Sequence, residues 1–326
     1  MGSQETYQKD FETCAIGVDL GATKIAAALV SNNGRTLAAR QVMTLADQGP
    51  NAVLDRIAEL VNGMLGMVEP KQLLGVGIGS PGQVDPRSGV VRNAVNLGWK
   101  EVELTTGVAS RLHCPLSIWA EKDANASALG EYTFGTACGI SELVYLGIGS
   151  GLGGGAISNG TSISGANLTA MEVGHLSLDP SGLLCTCGNY GCAETTISGR
   201  GLSAITRKLI QTQRFQTCLD MSQDLHPSQV LEAARQGDPL SLAAITEMGQ
   251  QLGFIFSMCA ALLNPSHIVI GGGLGLAAFD LLIPPALKEM ARRCLPAARS
   301  DLKILRSTLE SPSIGAAALV WYHQRR

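Results

Sequence analysis

Residues 13–42 read TCAIGVDLGATKIAAALVSNNGRTLAARQV, and this stretch indicates the class of fold. Two apolar runs, residues 13–18 and 25–30, flank the sequence DLGATK at residues 19–24. The SNNG that follows, residues 31–34, is typical of a turn, after which a third strand can return. The pattern predicts an antiparallel meander whose first bend is a glycine-containing loop.

Beyond the meander, helical periods alternate with short apolar runs, which favours an α/β protein. The second half contains another strand, glycine turn and strand at residues 143–158, a weak internal repeat of structure and not of sequence. The other predicted elements are helices at residues 51–67, 123–132, 226–263 (broken near Gly237) and 312–322, and buried strands at residues 73–78, 116–120 and 266–270.

Composition and charge exclude several classes of protein. Of the 326 residues, 45% are hydrophobic and 16% are charged, which supports sizeable cores, and the length corresponds to about two domains. The formal net charge of −3 gives no support to a nucleic-acid partner. The apolar runs are too short for a membrane helix, and the polar residues 1–12 lack the core of a signal peptide. We therefore expect a cytoplasmic protein without a membrane partner.

Three of the nine cysteines are crowded together. With His175 they form the pattern H-x9-C-x-C-x4-C, which ends in Cys185, Cys187 and Cys192. One imidazole and three thiols match a closed tetrahedral zinc site, whereas the odd total of cysteines fits poorly with a disulfide framework. Because protein fills all four positions, we expect structural and not catalytic Zn²⁺. The alternative is three unligated thiols and a surface histidine.

Three glycine-rich loops follow predicted strands and are candidates for binding a nucleotide triphosphate. Glycine lets backbone N–H groups converge on an anion, and the hydroxyls of Thr23 and Ser150 add donors. The P-loop pattern is absent, and a strand instead of a helix after the second loop argues against a dinucleotide-binding fold. Each loop alone can equally be a plain hairpin turn. The candidate residues are Asp19, Gly21, Ala22, Thr23 and Lys24 in the first loop, Gly149, Ser150, Gly151 and Gly153 in the second, and Gly271, Gly272 and Gly273 in the third.

Carboxylates supply the candidate catalytic and binding groups. Asp123 follows a predicted strand and opens a predicted helix, where it can accept the proton of an attacking hydroxyl in phosphoryl transfer. The alternative is a helix cap provided by Asp123 or Asn125. Glu172 and Glu194 flank the zinc pattern, and carboxylates on a metal-stapled loop can bind sugar hydroxyls through charge-assisted hydrogen bonds. Either glutamate alone can also be a solvated surface charge.

In this order, the motifs resemble those of the ROK family (repressors, open reading frames and kinases) over residues 16–322. DLGATK at residues 19–24 is similar to the family's first phosphate loop, and GSGLGGG at residues 149–155 is similar to its second. The glycines at residues 271–273 resemble its adenosine-side glycines. EVGH at residues 172–175 and CTCGNYGCAE at residues 185–194 resemble its signature.

The resemblance implies an actin-like ATPase (ribonuclease H-like) α/β fold of two domains with a cleft between them. It implies phosphorylation of the 6-hydroxyl of a hexose by ATP and Mg²⁺, in a homodimer or higher homo-oligomer. Asp123 matches the catalytic base, and Asp19 is expected near Mg²⁺ and the phosphates. The implied hexose-binding residues are Gly82, Lys122, Asp123, Glu172, His175 and Glu194, of which the last three lie on the part of the chain that zinc orders.

Two residues depart from the family pattern, and they bear on the choice of sugar. Lys122 stands where Asn usually precedes the catalytic Asp, and Met171 stands where Gly often precedes the signature Glu. The zinc spacing resembles that of glucokinases and N-acetylhexosamine kinases more than that of fructokinases. We expect glucose as the substrate, with N-acetylmannosamine or N-acetylglucosamine as alternatives. A non-catalytic sugar-sensing regulator is the alternative of another class, although about 12 residues before Thr13 are too few for a helix-turn-helix.

The expected domain boundaries are less sharply marked. No linker or low-complexity segment separates the halves, and we place the split near residues 119–123. Residues 1–12 are then a polar tail. Residues 13–120, completed by a C-terminal helix at residues 312–326, form the smaller domain, and residues 121–311 form the larger one, which contains the zinc loop at residues 175–194.

Overall fold

The protein is described by a computed structural model that covers residues 13–212, 214–220 and 225–325. The predicted polar tail, residues 1–12, lies outside the described residues. The described chain divides into two compact units, one formed by residues 13–134 with 310–325 and the other by residues 135–309. Among the described helices, none combines the length and the apolar character that crossing a bilayer requires.

The thirteen described strands fall into three sheets. In the first unit they are β1 (Cys14–Leu20), β2 (Lys24–Ser31), β3 (Thr36–Met43), β4 (Leu73–Ser80), β5 (Gln83–Asp85), β6 (Val90–Ala94), β7 (Trp99–Glu103) and β8 (Ile118–Lys122). In the second unit they are β9 (Leu143–Ile148), β10 (Leu152–Ser158), β11 (Thr161–Ser162), β12 (His267–Gly271) and β13 (Lys303–Arg306).

Ten helices are described beside these strands. They are α1 (Pro50–Leu65), α2 (Leu104–Ala109), α3 (Asp123–Thr133), α4 (Gly199–Gln211), α5 (Pro227–Arg235), α6 (Pro239–Leu262), α7 (Gly273–Ala277), α8 (Phe279–Arg293), α9 (Pro296–Arg299) and α10 (Pro312–Gln324). A short 3₁₀ turn at Val173–His175 contains the histidine of the zinc pattern, and another at Ala193–Thr195 follows its last cysteine.

The main sheet of the first unit has the order β3-β2-β1-β4-β8. β1 pairs antiparallel with β2, and β2 pairs antiparallel with β3, which confirms the predicted meander. β1, β4 and β8 are parallel to one another, so their carboxyl ends meet at one edge. β5, β6 and β7 form a separate antiparallel sheet in the same unit.

The sheet of the second unit has the order β11-β10-β9-β12-β13. Its first three strands in the chain, β9 to β11, are antiparallel, and β9, β12 and β13 are parallel. Strand directions and neighbours therefore repeat those of the first unit. The predicted internal repeat is confirmed as a repeat of topology.

Small residues explain how the C-terminal helix packs on the first sheet. Gly17 and Gly77 sit beneath α10, and a Cβ on either would overlap with the carbonyl oxygen of Ser313 or Ala316. The run of alanines in α10 is fully buried at this close approach. Apolar residues of α1 such as Ile57 join the core formed with the larger side chains of β1 and β4. Burial of strands on both faces is typical of parallel sheets.

The division between the units differs from the boundary expected near residues 119–123. α3 packs on α10 and on β4, and both of these belong to the first unit. The first unit therefore runs to Phe134 before the chain enters the second. In the second unit, α6 packs against α8 and α4, and its core includes Phe256 and Leu282.

Candidate active site and metal centre

Two carboxylates lie on either side of β4 at the carboxyl edge of the first sheet. Asp19, near the end of β1, is paired with Gly79 of β4, and Gly79 is paired with Glu121 of β8. Asp123 follows two residues later, and a Cβ on Gly79 would lie 3.6 Å from its Cα. The parallel topology thus brings together two residues that are separated by more than a hundred positions in the chain.

The two carboxylates interact electrostatically. Burial and, to a smaller extent, the negative charge of Asp123 raise the pKa of Asp19 to about 6, although Lys24 acts in the opposite direction. An ionised Asp19 is therefore unfavourable in this environment, and either a proton or a nearby cation relieves it. A strongly shifted carboxylate with a specific charged neighbour is a common feature of functional sites.

Asp123 is the first residue of α3 and is exposed, with Lys122 in the N-cap position. Its Oδ1 accepts a hydrogen bond from the N–H of Ala124 at 2.6 Å. The alternative that Asp123 or Asn125 is the N-cap is wrong, because both residues lie inside the helix. The carboxylate is held at the strand-to-helix junction by its own helix turn.

Glu121 is a buried residue that the sequence analysis missed. It is 4% exposed, and its Oε1 accepts hydrogen bonds from the N–H of Lys122 at 2.9 Å and from Nδ2 of Asn125 at 3.1 Å. Burial raises the pKa of its carboxyl group. Lys122 itself is 5% exposed, so the residue that departs from the family pattern is enclosed by protein at this junction. The only sequence signal was the i, i+4 spacing of Glu121 and Asn125.

The first loop is a tight bend between β1 and β2. The N–H of Gly21 donates to the carbonyl of Lys24 at 3.0 Å, and Ala22, Thr23 and Lys24 are exposed. Thr44, fully buried, donates from Oγ1 to the Gly21 carbonyl at 2.7 Å and from its N–H to the Thr23 carbonyl at 2.9 Å. This threonine, also missed, fixes the loop from outside.

Gly82 lies in the turn between β4 and β5 with φ +89°. A side chain there would overlap with the carbonyl oxygen of Asn93 in β6. Glycine is therefore required by the backbone conformation and by the close approach of a neighbouring strand. These constraints are sufficient to explain the glycine, independently of the sugar contact that the family resemblance implies.

The second and third loops lie at adjacent strand ends of the second sheet. Gly149 donates its N–H to the Gly151 carbonyl at 2.9 Å in the β9–β10 turn. Gly271, which ends β12, pairs with Gly147 of β9. A Cβ on Gly149 or Gly273 would meet nothing within 4 Å, whereas one on Gly272 would lie 2.5 Å from the Ile148 carbonyl oxygen. Gly149 and Gly273 therefore leave open backbone surface, and Gly272 allows the two loops to pack together.

The four predicted metal ligands converge in the second unit. Ligand atoms of His175, Cys185, Cys187 and Cys192 all lie within 4.8 Å of one another. Cys187 Sγ lies 3.6 Å from Cys192 Sγ, and Cys185 Sγ lies 3.8 Å from His175 Nδ1. Tetrahedral Zn–S bonds of about 2.3 Å place two sulfurs about 3.8 Å apart, so the donor set and its dimensions fit zinc.

The chain around the metal ligands is folded into short bridges. Ser177 pairs with Cys192, and Leu184 pairs with Tyr190. Gly191 has φ +66°, and a side chain there would overlap with the carbonyl of Asp179. A zinc ion held by these four ligands would fix the turns at Val173–His175 and Ala193–Thr195, which carry residues expected to bind sugar.

The residues expected to bind sugar have distinct surroundings in this loop. Glu172 is exposed and precedes the turn that contains His175. His175 directs Nδ1 toward the cysteines, so coordination there leaves Nε2 for a second contact. Met171 has φ +62°, a backbone conformation that favours glycine. Methionine at this position, where the family often has Gly, therefore strains the backbone locally.

Glu194 lies against the second loop. Its Oε2 accepts a hydrogen bond from the N–H of Leu152 at 3.2 Å, and its Oε1 lies 3.6 Å from Nη2 of Arg200. Sequence analysis assigned Glu194 to the sugar and the loop to the nucleotide. The contact between them spans 42 positions and carried no sequence signal.

The ROK family profile matches residues 15–323. The chain belongs to the ROK family. It is 31% identical over 313 residues to a glucokinase from Halalkalibacterium halodurans, covering 94% of both chains. The solved structure of a ROK family glucokinase from Streptomyces griseus, in complex with glucose and AMPPNP, is 32% identical with a TM-score of 0.78, covering 94% of this chain and 98% of that one. A xylose repressor from Caldicellulosiruptor bescii is also 31% identical over 313 residues, covering 94% of this chain and 77% of the repressor.

These comparisons confirm the ROK assignment and the two-domain actin-like ATPase fold. The repeated strand order in the two units is in keeping with that fold. The similarity to glucokinases supports a sugar kinase. Because this repressor has the same identity as the Halalkalibacterium halodurans glucokinase over the same number of residues, similarity alone does not separate a kinase from a regulator.

Proposed function

We propose that this protein transfers the γ-phosphate of ATP to the 6-hydroxyl of a hexose, with glucose as the preferred acceptor. The observation that carries the proposal is the Asp19 and Asp123 pair, which a sugar-binding regulator does not need. One carboxylate of the pair is exposed at a helix start, and the other is perturbed by burial. The similarity to a glucokinase that binds glucose and AMPPNP supports the choice of substrates.

In this proposal Asp123 orients the 6-hydroxyl and accepts its proton during the transfer. Phosphoryl transfer depends mainly on positioning and on stabilising the negative charge of the phosphates. The backbone of the three glycine loops holds the phosphates and the adenosine, and Thr23 and Ser150 add hydroxyl donors. Glu121 keeps the junction that presents Asp123 in place through its two hydrogen bonds.

Mg²⁺ and Zn²⁺ have separate roles in the proposal. Asp19 fits a place near Mg²⁺ because burial makes its charge unfavourable without a cation. Mg²⁺ supplies charge neutralisation for the phosphates. Zinc bound by His175, Cys185, Cys187 and Cys192 is structural, and it fixes the loop on which Glu172, His175 and Glu194 bind the sugar.

A non-catalytic sugar sensor is the second candidate, favoured by the similarity to a xylose repressor. A coupled assay of ADP release across glucose, mannose, N-acetylmannosamine, N-acetylglucosamine and fructose separates the candidates. We expect the largest acceleration with glucose. Sugar binding by calorimetry without ADP release would favour the sensor, and faster release with an N-acetylhexosamine would replace glucose as the substrate.

A further inference from the structure

Glu194 lies directly on the second glycine loop. Its Oε2 accepts a hydrogen bond from the N–H of Leu152, and a Cβ on Gly151 would overlap with the same oxygen. The carboxylate is only 18% exposed. An anion of the protein thus occupies backbone that, in the proposed function, binds the phosphates of the nucleotide.

The position of Glu194 is fixed from both directions along the chain. Cys192, two residues earlier, is a fully buried member of the proposed zinc site. Ser198, four residues later, donates from Oγ to the Glu194 carbonyl at 2.7 Å and accepts from the N–H of Gly201 as the cap of α4. Gly199 donates its N–H to the Gly149 carbonyl of the same loop at 2.8 Å. The zinc loop, the start of α4 and the second glycine loop are therefore connected around this carboxylate.

We propose that Glu194 is a positioning residue that couples sugar binding to nucleotide binding in this unit. In the sugar-free protein its carboxylate holds the loop N–H and repels the incoming phosphates. A sugar whose hydroxyls donate to Glu194 disperses this charge and weakens its hold on Leu152. The inference rests on the proposed function, because it requires that Glu194 binds sugar and that the loop binds phosphate.

The coupling follows from competition between two anions for one site. Carboxylate and phosphate oxygens both accept from the same kind of backbone N–H, and like charges at short range oppose each other. Arg200 compensates the carboxylate only in part, since it is 66% exposed and lies 3.6 Å away. By thermodynamic linkage, sugar should tighten nucleotide binding by the same factor by which nucleotide tightens sugar binding.

Calorimetric titration of AMPPNP with Mg²⁺, with and without saturating glucose, measures this coupling. For the unaltered chain we expect roughly five- to tenfold tighter AMPPNP binding when glucose is present. Glu194→Gln should tighten sugar-free AMPPNP binding by roughly three- to tenfold, because the negative charge is gone. The ratio between the two conditions should then fall toward one.

Glu142→Gln is the matched control. Glu142 also accepts a backbone N–H, that of Asn159, but at the opposite end of β9 from the second loop. Glu142→Gln should leave the affinity for AMPPNP unchanged, both with and without glucose. Arg200→Gln should act in the opposite direction to Glu194→Gln, weakening sugar-free binding and increasing the ratio, because the carboxylate loses its cation.

The outcomes separate this inference from the proposed function. If Glu194→Gln, at normal zinc content and melting temperature, binds AMPPNP without sugar as tightly as the unaltered chain or more weakly, the coupling is overturned. An equal effect from Glu142→Gln, or an unchanged ratio in Arg200→Gln, would also overturn it. Absence of sugar-dependent ADP release from the unaltered chain would instead refute the proposed kinase activity. The AMPPNP affinities measured without sugar do not depend on that result.

Discussion

Replacing Asp19 by Asn should stabilise the protein while reducing its activity. The pKa of Asp19 is raised from 3.8 to about 6, chiefly by burial and then by the charge of Asp123. A shift of about two pKa units corresponds to roughly 3 kcal/mol between the charged and neutral forms. Because Asp19 keeps partial contact with water, we expect a gain of about 1–3 kcal/mol in the free energy of unfolding at pH 7.5.

The pH dependence gives the sign of the effect. A carboxyl group whose pKa is higher in the folded state binds more protons when folded than when unfolded between pH 3.8 and about 6. Its contribution to stability therefore falls as the pH rises through this window and is constant above it. Asn is neutral at every pH, so the advantage of Asp19→Asn should be present at pH 7.5 and should disappear near pH 4.

Thermal unfolding at pH 7.5 and pH 4.5, without nucleotide or added Mg²⁺, measures the difference. A gain of about 1–3 kcal/mol corresponds to roughly 1–5 °C for a chain of this size. Sugar-dependent ADP release should fall at least about tenfold, since the phosphate-side carboxylate is lost. A loss of stability at pH 7.5, or a gain that is equally large at pH 4.5, would refute the electrostatic account.

Asp85→Asn provides a control of opposite sign. A hydrogen bond from Arg92, followed by one from the N–H of Arg87, lowers the pKa of Asp85. Its charged form is thus favoured in the folded state, and its replacement should slightly destabilise the protein above pH 4. A stabilising effect from both substitutions would indicate a general response to reduced negative charge and not the local environment of Asp19.

Three further substitutions test the proposed site. Asp123→Asn should lower kcat at least about 100-fold with little change in sugar affinity, because shape is kept and basicity is lost; near-normal turnover would remove the base assignment. Lys122→Asn should change sugar preference or KM while kcat stays within about tenfold, measured across the same sugar panel. If the KM for every sugar equals that of the unaltered chain, Lys122 is excluded from the sugar site. Cys187→Ser should abolish binding of about one zinc per chain and much of the activity, as elemental analysis and ADP release would show, and zinc-free unaltered protein would disprove the metal centre.

The features that the sequence predicted depend on local patterns. The meander follows from apolar runs and turn residues, and the metal cluster follows from ligand types at close spacing. α8 was missed because Pro284 and Pro285 are ordinarily helix breakers. Its helix forms against α6, where Gly249 lies so close that a Cβ there would be 2.6 Å from Cγ of Pro285. Tertiary packing overrode local propensity at this position.

The contacts that shape the candidate site were predicted less well. Glu121 looks like one more charged residue in sequence, and only the folded chain shows it buried with Asn125 as a hydrogen-bond donor. Glu194 and Leu152 are far apart in the chain, so no periodicity connects them. Both cases involve a carboxylate bound to backbone N–H groups, and the sequence records the carboxylate but not the direction of its contacts.

The repeated topology indicates how the two units differ in chemistry. β1 and β4 pair Asp19 with Gly79, and the equivalent strands β9 and β12 pair Gly147 with Gly271. The position of the perturbed carboxylate is thus occupied by glycine in the second unit. The turns differ as well, because β1 and β2 pair up to Leu20 and Ile25, with four residues between, whereas β9 and β10 pair up to Ile148 and Leu152, with three between. We therefore expect the first unit to supply charge and the second to supply open backbone. Gly147→Asp should then repel phosphate, as Glu194 is proposed to do, and should not create a second base.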